Sequence, residues 1–386
     1  MADIYMDNAS GTRLSEDVFE AMKPYFLEDY GNPSSIHKYG LAAKEAIEDA
    51  RAKVAALIGA DPGEIYFTSC GSESNNLAVK GAAWAGRKKG KHIVLSSIEH
   101  HSVMHAAKAM TRLGWEMTVV AVDGNGFIDQ DALISAIRED TTLVSVLHAS
   151  NEIGTIQPLK EIAARVKAKG VPFHSDAIQT VGVIPVDVND LGVDILSLAA
   201  NSFYGPKGVA ALYIRKGTRV FSLIDGGIQE RGRRAGTENV PAIVGLGKAA
   251  ELALPAIESR MAHLTPLREK LMSGLVSVIP KLYVNGDQEK RLPGNVHASI
   301  EAIEGESMLF SLGAKGIMAA SGSSCADKAL KSSHVLAAIG VEPALANASL
   351  LFTLGMDNTD ADVDTVLEML PPIVERLRNM SPLWNG

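Results

Sequence analysis

The hydrophobic positions of this chain fall into two successive rhythms. From about residue 41, short apolar runs alternate with stretches of helical periodicity. Helical spacing covers 41–57, and strands are predicted at 65–68, 92–96, 117–122, 143–148, 173–176 and 195–199. Helices near 73–85, 101–112, 129–138 and 158–169 separate them, and an apolar run at 209–215 adds another strand. Short strands alternating with helices at this spacing predict an α/β fold with a mainly parallel sheet covered on both faces. After about residue 255 the rhythm changes. A long helix over 256–279 leads to short strands near 282–285 and 294–300, a helix near 306–313, a strand at 349–353 and a final helix at 361–378. The expected division is a large domain, 16–255, and a smaller α/β domain made of 1–15 and 256–386.

Composition agrees with this picture. A chain of 386 residues is long enough for two cores, and 46% hydrophobic residues with 35 glycines suit a well-buried fold with many tight turns. A formal charge of −8 argues against a general nucleic-acid binder, which needs a basic face. The first residues lack the basic and apolar regions of a signal peptide, and no apolar run is expected to reach the roughly 18–20 residues of a membrane span. With only Cys70 and Cys325, a reducing compartment is the default, and the expectation is a cytoplasmic protein.

Candidate chemistry gathers just after the strands, where parallel sheets bind ligands. Cys70-Gly71-Ser72-Glu73 turns from a strand into a helix, so its backbone N–H groups and helix dipole suit an anion. His100 follows the strand at 92–96 and could stack on an aromatic ligand. Asn151 follows 143–148. Asp176 and Gln179 follow 173–176, where a carboxylate could pair with a protonated ring nitrogen. Each residue also reads as a helix cap when taken alone; their recurrence at one sheet edge is the stronger signal. Cys325 sits in a Ser/Gly-rich loop that suits a nucleophile or a metal ligand, although no metal-ligand spacing surrounds it. Cys70 reads as a small buried filler.

Assembled, these motifs resemble the NifS/IscS-type cysteine desulfurases of the class V aminotransferase group, fold type I enzymes of pyridoxal phosphate (PLP). The resemblance runs through Gly31-Asn-Pro-Ser-Ser-Ile-His37, Phe67-Thr-Ser69 with Glu73-Ser-Asn-Asn76, Glu99-His100 and Asn151-Glu-Ile-Gly154. It continues through His174-Ser-Asp-Ala-Ile-Gln179, Tyr204-Gly-Pro-Lys-Gly208, Gly236-Thr-Glu-Asn239 and Ala320-Ser-Gly-Ser-Ser-Cys325. It implies that Gly71 and Ser72 bind the cofactor phosphate, that His100 stacks on its ring and that Asp176 holds the ring nitrogen protonated. Gln179 would meet the ring oxygen, and Asn151 the substrate or ring. Thr237 would reach the phosphate of the partner subunit in a homodimer. Cys325 would take sulfur from cysteine as a persulfide for an IscU-like iron–sulfur scaffold protein.

Two departures stand against that pattern. Where the family has Ser-Gly-His-Lys, this chain has Ala199-Ala200-Asn201-Ser202, so Asn201 and Ser202 replace a phosphate contact and the covalent anchor. Where the family has a substrate-binding arginine, this chain has Leu351. Some archaeal IscS-like proteins resemble it in lacking both. Loss of a general base alone costs about 10²–10⁴-fold in rate. Two readings therefore stand: a desulfurase with PLP held non-covalently, or a PLP-free, inactive assembly partner. In the second, Cys325 carries sulfur or ligates an iron–sulfur cluster shared with the scaffold.

Overall fold

The computed structural model describes residues 3–321 and 333–384. The strands in chain order are β1 (Ile4–Tyr5), β2 (Ile65–Thr68), β3 (His92–Ser96), β4 (Glu116–Val120), β5 (Thr141–Ser145) and β6 (Phe173–Asp176). They continue with β7 (Ile195–Ala199), β8 (Ala210–Ile214), β9 (Leu282–Val284), β10 (Asn295–Ile300), β11 (Ile317–Met318) and β12 (Ser349–Thr353). Seven of them form the main sheet in the order β2-β8-β7-β6-β5-β3-β4. Only β8 runs against the others, pairing antiparallel with β2 and β7. The carboxyl ends of the remaining six strands therefore share one edge.

Both faces of the sheet are covered, which is why its central strands are apolar on both sides. Side chains alternate between two packing layers. Leu196 and Leu198 of β7 join the core under the helices Lys38–Leu57 and Val240–Ala253. Ile195 joins the opposite layer, under the helices Gly71–Gly86 and His101–Thr111. A separate core gathers Met6, Leu271, Val296, Leu350, Phe352 and Val366. It is built on the antiparallel sheet β12-β10-β9 and the parallel pair β1-β11.

One expectation needs correction. The helical run Val240–Val278 contains a window long and apolar enough to span a membrane by length and composition alone. Its first helix, Val240–Ala253, had no clear period in the sequence because Lys248 and Glu251 are its only charged residues. Over half of the window is buried. Ile243, Leu246 and Ala250 pack in the main core, which accounts for the apolar character.

One buried ion pair fixes a loop to the sheet. Arg51, in the helix Lys38–Leu57, donates from Nη1 and Nη2 to the two oxygens of Glu230, each at 2.8 Å. Glu230 also accepts the Phe67 N–H of β2 at 2.8 Å, and it adopts a left-handed backbone with φ 45°. This holds the segment leading to Thr237 against the end of β2. Removing one partner of such a pair leaves an uncompensated buried charge. Glu230→Ala should therefore lower unfolding stability by about 3–5 kcal/mol, measurable by urea denaturation.

Candidate functional site

The candidate site forms where β3, β6 and β7 end. Asp176 is the last residue of β6 and is buried. Its Oδ1 accepts the Ile178 N–H at 3.0 Å, and its Oδ2 accepts the Asn75 amide at 2.7 Å. Burial pushes its carboxyl above the usual carboxylate range, against the opposing effect of the Ile178 N–H and the Asn75 amide. A buried carboxylate of this kind is matched to a protonated ring nitrogen, whose positive charge would restore the balance that burial disturbs.

His100 caps the helix His101–Thr111. Its Nδ1 meets the Ser102 N–H at 3.2 Å and the Ser102 hydroxyl at 2.7 Å. The Asn75 amide also donates to the Ser102 hydroxyl, at 2.8 Å. Asn75 and Ser102 thus connect His100 to Asp176 without direct contact between the two. Neither had been singled out from the sequence. Asn75 lay inside the quoted Glu73-Ser-Asn-Asn76 motif, but Ser102 carried no signal, since only the fold brings it to Asn75.

The turn at Gly71 and Ser72 opens the 16-residue helix Gly71–Gly86. Gly71 is buried, and a Cβ there would stand 2.2 Å from the Ile178 Cδ1, so the turn packs closely against the segment after Asp176. Ser72 is exposed. Glu73 accepts the Ser69 N–H and hydroxyl and pairs with Arg234 at 3.0 Å. These partners hold its carboxyl below the usual range despite the opposing effect of burial. Cys70 is exposed at the helix N-cap, which corrects the expectation of a buried filler. Its place at the strand-to-helix turn puts it beyond the packed end of β2.

The remaining candidates are distributed as follows. Gln179 is half-buried and donates to the Ala9 carbonyl at 3.1 Å. It shares a cavity of about 60 Å³ with Ser202, Asn8 and Asn295. Ser202 is buried at the end of the short turn after β7, and its Oγ has no hydrogen-bond partner among the described residues. The Asn201 carbonyl accepts from Thr12. The Asn151 carbonyl accepts from Asn295, and its amide has no partner among the described residues. Thr237 is exposed in the loop that leads into the helix Val240–Ala253. Leu351 is buried in β12, opposite His297 in β10. Lys207 is exposed, and its side chain runs over Gly11. Cys325 lies outside the described residues.

The class V aminotransferase family model matches residues 4–366. The chain belongs to the aminotransferase class-V family. It is 52% identical over 380 residues to a protein named cysteine desulfurase IscS from Methanosarcina thermophila, covering 98% of this chain and 94% of that one. A protein of the same name from Dictyoglomus turgidum is 49% identical, with 98% and 96% covered. Among solved structures, a NifS-like protein superimposes with TM-score 0.91 at 38% identity, covering 97% of this chain and all of that one. An apo cysteine desulfurase from Thermococcus onnurineus NA1 matches with TM-score 0.86 at 26% identity, with 97% and 95% covered. The mixed α/β fold is that of the fold type I PLP enzymes.

The residues present fit part of that cofactor. The buried, bridged Asp176 suits a ring nitrogen, and the N–H groups of a long helix suit a phosphate. A covalent anchor is not among the fitting residues, because Ser202 offers a hydroxyl in place of an amine.

A second buried acid lies behind His100. Glu99 accepts the Leu147 N–H at 2.7 Å and the Ser145 hydroxyl at 3.3 Å. Its carboxyl is pushed up to about 8, mainly by burial. Behind it, burial lowers His174 to about 3. The folded protein thus keeps a proton on Glu99 that an unfolded carboxyl, near 4.5, has released. The stabilisation is present below about 4.5 and is lost as pH rises through about 8. Between about pH 7.5 and 8, where an unfolded histidine such as His174 is mostly neutral as well, Glu99 should therefore make stability fall with pH. Glu99→Gln should reduce that slope by up to one proton, about 1.4 kcal/mol per pH unit. Urea unfolding across this range measures the difference.

Proposed function

We propose that this protein handles cysteine-derived sulfur for iron–sulfur cluster assembly, as a desulfurase-like homodimer that takes PLP without a covalent link. The observation that carries this reading is the retained ring cradle: Asp176 buried at the end of β6 and bridged through Asn75 and Ser102 to His100. Bound there, PLP would supply an electron sink. Gly71 and Ser72 would hold the phosphate, Asp176 the ring nitrogen and Gln179 the ring oxygen, with Asn201 beside them. The substrate would lie toward Asn151. Cys325 would accept sulfur from cysteine, becoming a persulfide as alanine leaves.

Two observations favour the PLP-free reading as the alternative. Ser202 is buried and its hydroxyl has no partner among the described residues, and Leu351 is an apolar side chain buried in β12 where a cationic fork would be needed to bind a carboxylate. In that reading Cys325 carries sulfur, or ligates a cluster on an IscU-like scaffold.

Support for a homodimer comes from the surface. Leu27 is 80%, Ile36 93% and Ile228 89% exposed, and Thr237 is exposed near the last of these in the chain. The proposed division into 16–255 and a unit of 1–15 with 256–386 draws on Met6 packing with Leu264 and Leu271 in the second core. A cytoplasmic location remains part of the proposal, consistent with a chain that carries only two cysteines.

The visible spectrum with added PLP and cysteine separates the readings. The desulfurase reading expects a bound chromophore and equal amounts of alanine and sulfide in the presence of a reductant. Ser202→Lys combined with Leu351→Arg should then raise the rate by at least about 10²-fold, the size of one restored general base. A colourless protein that releases no sulfide, yet needs Cys325 to support cluster assembly on the scaffold, would establish the alternative.

A further inference from the structure

The contacts between Asp176 and His100 have a direction. The Ser102 backbone N–H can only donate, and it points at His100 Nδ1 at 3.2 Å. Nδ1 is therefore an acceptor and carries no proton. The Asn75 amide nitrogen has two hydrogens, directed at Asp176 Oδ2 at 2.7 Å and at Ser102 Oγ at 2.8 Å. Ser102 Oγ, accepting from Asn75, turns its own proton to His100 Nδ1 at 2.7 Å. An ionised Asp176 fixes this order, because the opposite amide orientation would place the Asn75 carbonyl oxygen against a carboxylate. The cost of that order is also visible: Asn75 Oδ1 is buried without a partner among the described residues.

We propose that Ser102 is a positioning residue that holds His100 in its neutral Nε2–H tautomer, and that Asn75 links this tautomer to the ionised form of Asp176. Nε2 then carries the ring's only N–H, and it has no protein acceptor among the described residues. The surroundings agree. His101 on the same helix and His334 at the start of the helix His334–Ala338 are both pushed down by burial and by the neighbouring imidazoles, so they favour the neutral form. Glu99 is pushed toward its protonated form by burial. Asp176 is then the charge left to face a ligand ring.

The consequence bears on the cofactor reading. A charged imidazolium at His100 would compete with a protonated ring nitrogen for the one carboxylate of Asp176. A neutral His100 stacks on the ring and leaves that carboxylate to the ring nitrogen. The consequence rests on PLP binding as proposed above. The tautomer rests only on contacts within the chain, so it can be tested in protein without PLP.

The test is ¹⁵N NMR of the full-length protein labelled at histidine, with His100 assigned by its loss in His100→Gln. The wild type should show an unprotonated Nδ1 and a protonated Nε2. Ser102→Ala should shift the tautomer ratio about fivefold toward Nδ1–H, the size of one lost hydrogen bond. Ser102→Thr should restore the wild-type ratio. Thermal melting of each variant reports whether the fold is kept. A wild-type His100 protonated on Nδ1 would overturn the proposal, as would a folded Ser102→Ala variant with unchanged ring shifts. If the tautomer is as proposed but PLP does not bind, the inference holds and the cofactor reading fails.

Discussion

A carboxylate buried at the end of a central strand has to be answered by donors, and much of this site follows from how Asp176 is answered. The Ile178 N–H and the Asn75 amide supply the two donors within the chain. The first comes from the backbone turn after β6, the second from the helix that begins at Gly71. The requirement therefore joins three elements: the strand, the helix whose N-terminus suits a phosphate, and, through Ser102, the helix capped by His100. Burial still leaves Asp176 shifted toward its neutral form, so the site retains a demand for positive charge.

The substitutions at Ser202 and Leu351 are of a different kind. Both occupy buried positions without adding a charge, and neither disturbs strand pairing. β7 still pairs with β8 from Ile195 to Ala199, and β12 still pairs with β10 across Leu351. The sheet frame tolerates them because backbone hydrogen bonds set its geometry, whereas a lysine or arginine at these places would serve the ligand. The frame and the ring cradle can thus persist while the covalent anchor and the carboxylate fork are absent. This separation makes a PLP-family fold compatible with either non-covalent cofactor use or none.

Much of the architecture could be read from the sequence. β2, β3, β6, β7 and β12 lie at the predicted residues, because short apolar runs bounded by turn residues are strong strand signals. The helix Val240–Ala253 was missed for the opposite reason: it is apolar on nearly every side, and a buried helix shows little period. Asp176, Gly71 and His100 were legible as residues following strands. Asn75 and Ser102 were not, since their importance lies in a contact across two helices between residues 27 positions apart in the chain. Cys70 was misjudged because small cysteines are usually buried, whereas this one caps an exposed helix start.

By itself, then, the sequence determined the alternation of strands and helices, the family motifs and the replacement of lysine and arginine by Ser202 and Leu351. Those are local or positional properties, carried by residue identity and periodicity. The tertiary structure decided which candidates meet. It brought Asn75 between Asp176 and Ser102, left the Ser202 hydroxyl without a partner among the described residues and buried Leu351 in β12. The physical reason is that hydrogen-bond direction and desolvation depend on neighbours distant in the chain. Such neighbours become defined only when the sheet brings its strand ends to one edge.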